Sequence, residues 1–411
     1  MSANTNANYY AKVVATVLKN KSVMTTRCNK EYKDEFGEEN PNGFKPGNTV
    51  PVSIPAIMTE IDGFVDGTDI TGKYQGINEG TKQLSLDYNP IIPVEISDID
   101  ATLDLDTPES KAFQKRVLLP VAEKLSSSCD RRALKVIAET AFQVNVVEDF
   151  SASVLKDELK IVKALLAEQL APSERMYSIV NTDFQNKLSS ETEESFNPQQ
   201  VASEAFKKGT VGSYANINFA NSEILYVRTN GCGGVAGLAL GADYVDGAST
   251  IQVVDGNNYL VGDKIVFDGG TFVNAQTKDS TGKDLVRAVK AINGNVLTIE
   301  PIYFTGSKQN ASISGDAMVS GQTITGLGTS GKKYRCYPVY QEQGLVMVSV
   351  RQPIPKTVDK LMGGAAIDGV YVRMLSDFDI STAMNYTRNE ILGLWSTDPR
   401  PEFVGVLEIA L

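Results

Sequence analysis

The sequence predicts a mixed α+β chain interrupted by an all-β block, and three observations carry that prediction. Apolar residues at helical spacing and strictly alternating runs occur together before residue 228, and mixed elements return after residue 340. Between them the composition shifts: 18 of the 34 glycines fall in residues 231–331. That stretch holds short β runs separated by turn signals, the pattern of a small sandwich or barrel. The 411 residues leave room for two or three cores, since domains run to roughly 100–200 residues each.

Taken in order, residues 8–27 carry apolar side chains at helical spacing (Tyr10, Val13, Val14, Val17, Leu18) and predict an amphipathic helix that needs a neighbour to cover it. Val50, Val52 and Ile54 alternate as a strand, and "LSLDYNPIIPVEIS" at 84–97 returns as another. The glycine-rich, charged stretch 60–82 lies between them, so the whole reads as an extended arm with a long exposed loop. Residues 106–142 predict the longest helix. Thr107 caps it and Pro108 suits its first position. Its stripe is Leu118, Ala122, Leu125, Cys129, Ala133, Ile137 and Phe142, and Pro120 predicts a kink or break. Unbroken, it would be a strut of roughly 50 Å at 1.5 Å per residue. A second helix covers 153–170, with Leu155, Leu159, Val162, Leu166 and Leu170 on one face, followed by a buried strand at 176–181. Short helices are predicted from "DFQNKL" and "VASEAFKKGTVG".

In the β block, "STIQVV", "DKIVF", "FVNAQ", "LVRAVKAI" and "NVLTIEPIYF" read as strands, with turns at Asp255-Gly256-Asn257, Asp268-Gly269 and Asn293-Gly294-Asn295. "VGDKIVFDGGTF" at 261–272 therefore reads as strand, tight turn, strand. Beyond the block, "GLVMVSVRQPIP", "GVYVRMLSDFDI" and "VGVLEIAL" read as strands, and "ISTAMNYTRNEILGLW" as a helix carrying the one tryptophan, Trp395.

Composition excludes several classes. Lysine and arginine number 39 against 50 aspartates and glutamates, a net charge of −11. Basic runs are no longer than pairs such as Lys207-Lys208 and Lys332-Lys333, so no clustered face for phosphates is visible. Histidine is absent, which removes the imidazole base of Ser-His-Asp and Cys-His machinery and the commonest metal ligand. Cys28, Cys129, Cys232 and Cys336 show no CxxC spacing. They read as free thiols, with a Cys232–Cys336 bridge across the ends of the block as the alternative. No signal peptide opens the chain and no run is long and apolar enough to span a membrane.

Two acidic groups stand out. Asp98, Asp100, Asp104 and Asp106 do not match an EF-hand and read as a polar strand face and helix start rather than a calcium site. Asp62, Asp66 and Asp69 read as a solvated loop or one that meets a basic patch on a neighbour; they are the candidate inter-subunit contacts. "GGVAGLALG" at 233–241 lacks the GK[ST] ending of a phosphate loop. No catalytic residue, cofactor or metal ligand is predicted.

Several stretches, in one order, resemble the major capsid proteins of tailed bacteriophages with the HK97 fold. The narrower likeness is to podovirus coat proteins of the P22 type, which carry an inserted domain. The stretches are "AKVVATVLKNKSVMTTRCNKEYKDEF" with "FKPGNTVPVSIPA", then "IPVEISDID", "SEAFKKGTVGSYANINFANSEI", "VGDKIVFDGGTFV", "VSVRQPIP" and "TDPRPEFVGV". Residues 274–284 and 231–241 match nothing in that pattern.

The resemblance implies an N-terminal arm (1–45), an E-loop (46–97), a P-domain with its spine helix (98–150), a first A-domain part (151–227), an inserted I-domain (228–340) and an A/P return (341–411). It implies a non-enzymatic subunit that assembles with itself, as hexamers and pentamers, into an icosahedral procapsid. A scaffolding protein, a portal protein and packaged double-stranded DNA would be its partners. It would assemble in the host bacterial cytoplasm and end in the virion. An acidic wall suits that cargo, because a basic one would bind the polyanion and hinder packing. An encapsulin-like cargo compartment is the first alternative, and a carbohydrate-binding or adhesive protein built on the β block the second.

Overall fold

The computed structural model describes residues 3–32, 49–54, 80–97, 114–195, 212–306, 308–313, 318–352, 362–382 and 384–411. Their elements run α1 (Ala3–Lys21), β1 (Thr49–Ile54), β2 (Gly80–Ser85), β3 (Ile91–Ser97), α2 (Leu119–Thr140), β4 (Gln143–Val147), α3 (Leu155–Glu168), β5 (Met176–Val180), α4 (Thr182–Ser195), β6 (Ser213–Tyr214), β7 (Ile217–Asn221), β8 (Val227–Thr229), β9 (Thr250–Gln252), β10 (Lys264–Val273), β11 (Ser280–Ala288), β12 (Ala291–Asn293), β13 (Val296–Thr298), β14 (Ala311–Ile313), β15 (Ile324–Gly326), β16 (Lys333–Gln341), β17 (Val346–Ser349), β18 (Met362–Ile367), β19 (Val370–Asp379), β20 (Met384–Glu390), β21 (Gly393–Ser396) and β22 (Val404–Ala410). The chain is mixed α+β, as predicted. It divides into two compact units, one of Met1–Pro51, Gln83–Ala133 and Leu345–Ser396, the other of Val52–Lys82, Leu134–Gly344 and Thr397–Leu411. β1 pairs with β2, and the hydroxyls of Thr49 and Ser85 meet at 3.1 Å.

In the first unit β18, β19, β20 and β3 form an antiparallel sheet in that order. α1 lies on β18 and β19. Its buried stripe is Tyr10, Ala11, Val14, Ala15 and Leu18, and burying each large apolar side chain is worth about 1.5–3 kcal/mol. The expectation that α1 needs a neighbouring molecule is therefore corrected: this sheet covers it. Asp130 of α2 then fixes the chain after α1. Its carboxylate accepts from Ser22 Oγ at 2.6 Å and from the backbone N–H of Val23 and Met24 at 3.1 and 3.0 Å.

The predicted helix over 380–395 is also corrected. β20 and β21 occupy it, and Trp395 is buried in a strand. β20 lies between β19 and β3 and is laddered to both along its length, and such pairing outweighs intrinsic helix preference. Glu390, fully buried, accepts from Arg373 Nε at 2.7 Å and Arg388 Nε at 2.9 Å.

α2 realises the later part of the predicted long helix; residues 98–113 lie outside the described residues. A π-helical turn, Gln114–Leu118, precedes it, and Pro120 sits in its first turn. Pro120, which has no N–H to give to the helical ladder, thus falls just where the wider π-helical turn passes into regular helix. The predicted stripe from Leu118 to Phe142 is buried throughout.

The second unit is built on a mixed sheet ordered β4-β22-β16-β5-β7-β6, with β8 also on β16. β22–β4 and β5–β7 are parallel, and the other pairs are antiparallel. α3 and α4 supply Leu155, Leu159, Val162, Leu166, Phe184 and Leu188 to its core, against Tyr337, Val339, Leu407 and Ile409 of the sheet. Leu170 departs from the predicted apolar face. It follows the helix end at φ 62° and is 40% exposed. Ala171 N–H bonds Leu166 O at 3.0 Å and Leu170 N–H bonds Ala167 O at 2.9 Å, a Schellman closure with leucine where glycine is usual.

Between β8 and β16 the chain is β-rich. β10 pairs with β11, β14 and β15; β13 pairs with β12 and β9. The predicted strand-turn-strand at 261–272 is instead one bent strand, β10. Its first half, Ile265–Phe267, pairs with β15 and its second, Gly270–Phe272, with β14. The register against β11 slips between Val266 and Thr271, and Gly269 takes φ 72° there. Asp268-Gly269-Gly270 thus makes a bulge that lets one strand change partners. The Asn293-Gly294-Asn295 turn is as predicted, joining β12 to β13. All four cysteines are free and buried, so Cys232 and Cys336 are not bridged.

Candidate functional site: the charged base of the β block

The contact candidates Asp62, Asp66 and Asp69 lie outside the described residues, as do Asp98, Asp100, Asp104 and Asp106. Among the described residues no cluster of cysteine and carboxylate side chains is arranged to hold a metal. The charged site that the structure does assemble was missed in the sequence. It lies where the β block joins the mixed sheet.

Arg228 on β8, Asp263 just before β10 and Glu408 on β22 meet with their side chains at most 1% exposed. Arg228 Nη2 and Nε donate to the two Glu408 oxygens at 2.6 and 3.1 Å, and Nη1 donates to Asp263 Oδ1 at 2.8 Å and Asn230 Oδ1 at 3.2 Å. Asp263 also accepts from the backbone N–H of Leu260, Gly231 and Cys232, at 2.9, 3.0 and 3.0 Å. Burying ions costs several kcal/mol apiece and is offset only when the remaining lone pairs and protons are also satisfied. Here they are. Burial opposes the Arg228 charge, but Glu408 and then Asp263 outweigh it and hold its pKa above the usual guanidinium value.

Lys264, the next residue, is fully buried. Its Nζ donates to Ala138 O at 2.8 Å and Ala141 O at 2.6 Å. These are carbonyls at the C-terminal end of α2, which lack helical partners and favour a cation. Burial pushes Lys264 down to about 8; Glu408 pulls it up and Arg228 pushes it further down. Arg287 of β11 is buried as well, its guanidinium 4.8 Å from the Phe142 ring centre and 5.4 Å from that of Phe272. Burial pushes it down to about 10 against the pull of Glu300. Gln169 Nε2 and Asn274 Nδ2 add bonds to Val273 O and Glu168 O, each at 3.4 Å. The block is thus joined to α2, α3 and β22 by several buried contacts.

This chemistry is structural. The ions are closed off from solvent, and burial raises the thiols of Cys232 and Cys336, with Asp263 and Glu408 respectively adding to the rise. A thiol so raised is a poor nucleophile. The missed signal was single charges inside apolar strands: Arg228 in "LYVRT", Asp263-Lys264 in "VGDKIVF" and Glu408 in "VGVLEIAL".

Comparison with known proteins identifies the fold's relatives. A family model described as P22 coat protein, gene protein 5, matches residues 12–407. No curated protein matches the chain significantly. Among solved structures it is similar to one titled Mycobacterium phage Che8, at 11% identity and TM-score 0.46, covering 94% of this chain and 90% of that one. The capsid of the Cyanophage P-SCSP1u matches at 11% identity and TM-score 0.47, covering 89% and 85%. That of Ralstonia phage GP4 matches at 6% identity and TM-score 0.47, covering 93% and 91%.

Proposed function

The chain belongs to the P22 coat protein family, and from that premise we propose how this subunit is used. It is a structural shell subunit of a tailed bacteriophage and not an enzyme. In our reading it forms hexamers and pentamers that close an icosahedral procapsid around a scaffolding protein. A portal occupies one vertex, and double-stranded DNA fills the shell without sequence-specific contacts. Assembly takes place in the cytoplasm of the bacterial host. The carrying observation is the match over residues 12–407, which includes the β block.

The physical arrangement supports the division of labour. The paired strands β1 and β2 serve as the base of an E-loop, and residues 55–79, with Asp62, Asp66 and Asp69, as its tip against a neighbouring subunit. α2 serves as the spine. The inserted domain spans about residues 230–332. The expected edges at 228 and 340 fall inside β8 and β16, which are strands of the mixed sheet. Identical subunits in rings need heterologous contacts of this kind. The acidic balance of −11 suits a wall that does not bind its polyanionic cargo.

Sedimentation tests the partners. The protein co-expressed with a scaffold encoded beside it should sediment on a sucrose gradient as uniform particles. Expressed alone, it should give particles of mixed size. Identical profiles with and without the scaffold would rule out scaffold-directed assembly.

A further inference from the structure

Glu300 holds three distant stretches of the second unit at one point. It follows β13 and is 8% exposed. One carboxylate oxygen accepts from Lys82 Nζ, and the other from Lys290 Nζ at 2.7 Å. Lys82 lies on β2, the return strand of the arm. Lys290, between β11 and β12, also donates to Asp398 Oδ1 at 2.7 Å, shortly before β22. Arg287 Nε donates to the Glu300 carbonyl at 3.2 Å. Glu402 lies in the electrostatic reach of Arg400, Lys82 and Glu300, and Tyr303 in that of Glu300.

The charges in this cluster are not equivalent. Lys290 lies between two carboxylates, so removing it takes a partner from both. Among the described residues Lys82 makes its side-chain hydrogen bond to Glu300, and when it leaves, Glu300 keeps Lys290. The arm's contact can therefore open without leaving a buried carboxylate uncompensated, which is the costly event in a buried pair. β2 has β1 as its partner strand and joins no larger sheet among the described residues. A point contact at Lys82 thus has leverage over the direction of the chain there.

We propose that Lys82 and Glu300 form a releasable latch that fixes the arm's return strand against the β block, with Lys290 and Asp398 keeping the block intact when it opens. The latch rests on this geometry; its use in adjusting the arm during shell assembly rests on the function proposed above.

Spin labels at Thr81→Cys and Lys283→Cys, both exposed positions, report the distance between β2 and the block in the full-length unassembled chain, whose native cysteines are buried. The distance distribution is expected to be one narrow peak. Lys82→Met should abolish that narrow peak and leave the thermal midpoint unchanged, and Lys82→Arg should restore it. Glu300→Gln should lose the peak and also lower the midpoint, because Lys290 loses a partner. An unchanged distribution in Lys82→Met overturns the proposal. So does a Lys82→Met protein that fails to fold, because a releasable contact cannot be essential to the fold. Electron micrographs of the wild-type protein are read separately: absence of shells there contradicts the shell reading and leaves the distance measurement valid.

Discussion

Arg228 sits between two carboxylates that have no access to water, and its loss has a calculable direction. Arg228→Met leaves Asp263 and Glu408 buried with a missing counter-charge and should lower unfolding free energy by about 3–5 kcal/mol, read by urea denaturation. Replacing Arg228, Asp263 and Glu408 together with apolar residues should recover most of that loss. Lys264 makes a separate prediction through pH. Burial lowers its folded-state value from 10.5 to about 8. Between those values the unfolded chain binds a proton that the folded chain does not, so this group adds stability as pH rises. The stability difference between wild type and Lys264→Met should therefore grow in favour of wild type from about pH 8 to 10.5. A flat difference would mean that Lys264 is not desolvated. These residues were legible only as anomalies. A charge in an apolar strand signals a partner, but sequence spacing cannot say that residues 228, 263 and 408 meet.

At the scale of elements, helices with continuous stripes were read correctly because their periodicity survives burial: α1, α2 and α3 keep the predicted apolar residues inside, except that Val13 and Val17 of α1 are half-buried and Leu170 is exposed. Leu170 marks where the helical pattern outlasts the helix. Its φ of 62° places a Cβ in the left-handed region, at a cost of roughly 1–2 kcal/mol. Because it is 40% exposed, little burial is lost on truncation. Leu170→Gly should raise unfolding free energy by about 0.5–1 kcal/mol, the left-handed cost less the added backbone entropy of glycine. An unchanged or lower value would show that the leucine's contacts outweigh the strain. β10 and β20 were misread for opposite reasons. Gly269-Gly270 looked like a chain reversal because a bulge and a turn use the same residues. β20 looked helical because its selection as a strand comes from β3 and β19, which lie outside any local window.

For the whole molecule, the mixed α+β character and the β-rich stretch between β8 and β16 were legible from composition and pattern. Contacts between subunits are set by surfaces that meet only on assembly, and acidic residues such as Asp62, Asp66 and Asp69 carry no spacing rule that would mark them as contacts. Self-coverage was equally hidden, since α1 buries its stripe against β18 and β19 from the far end of the chain. What distinguishes this protein from an ordinary two-unit chain is that it must close a shell with copies of itself. Negative-stain electron microscopy of the purified protein, alone and with any scaffold encoded beside it, tests that most directly. Closed shells with scaffold, and spirals or irregular shells without it, are the predicted result. A stable monomer or small oligomer under both conditions would contradict it.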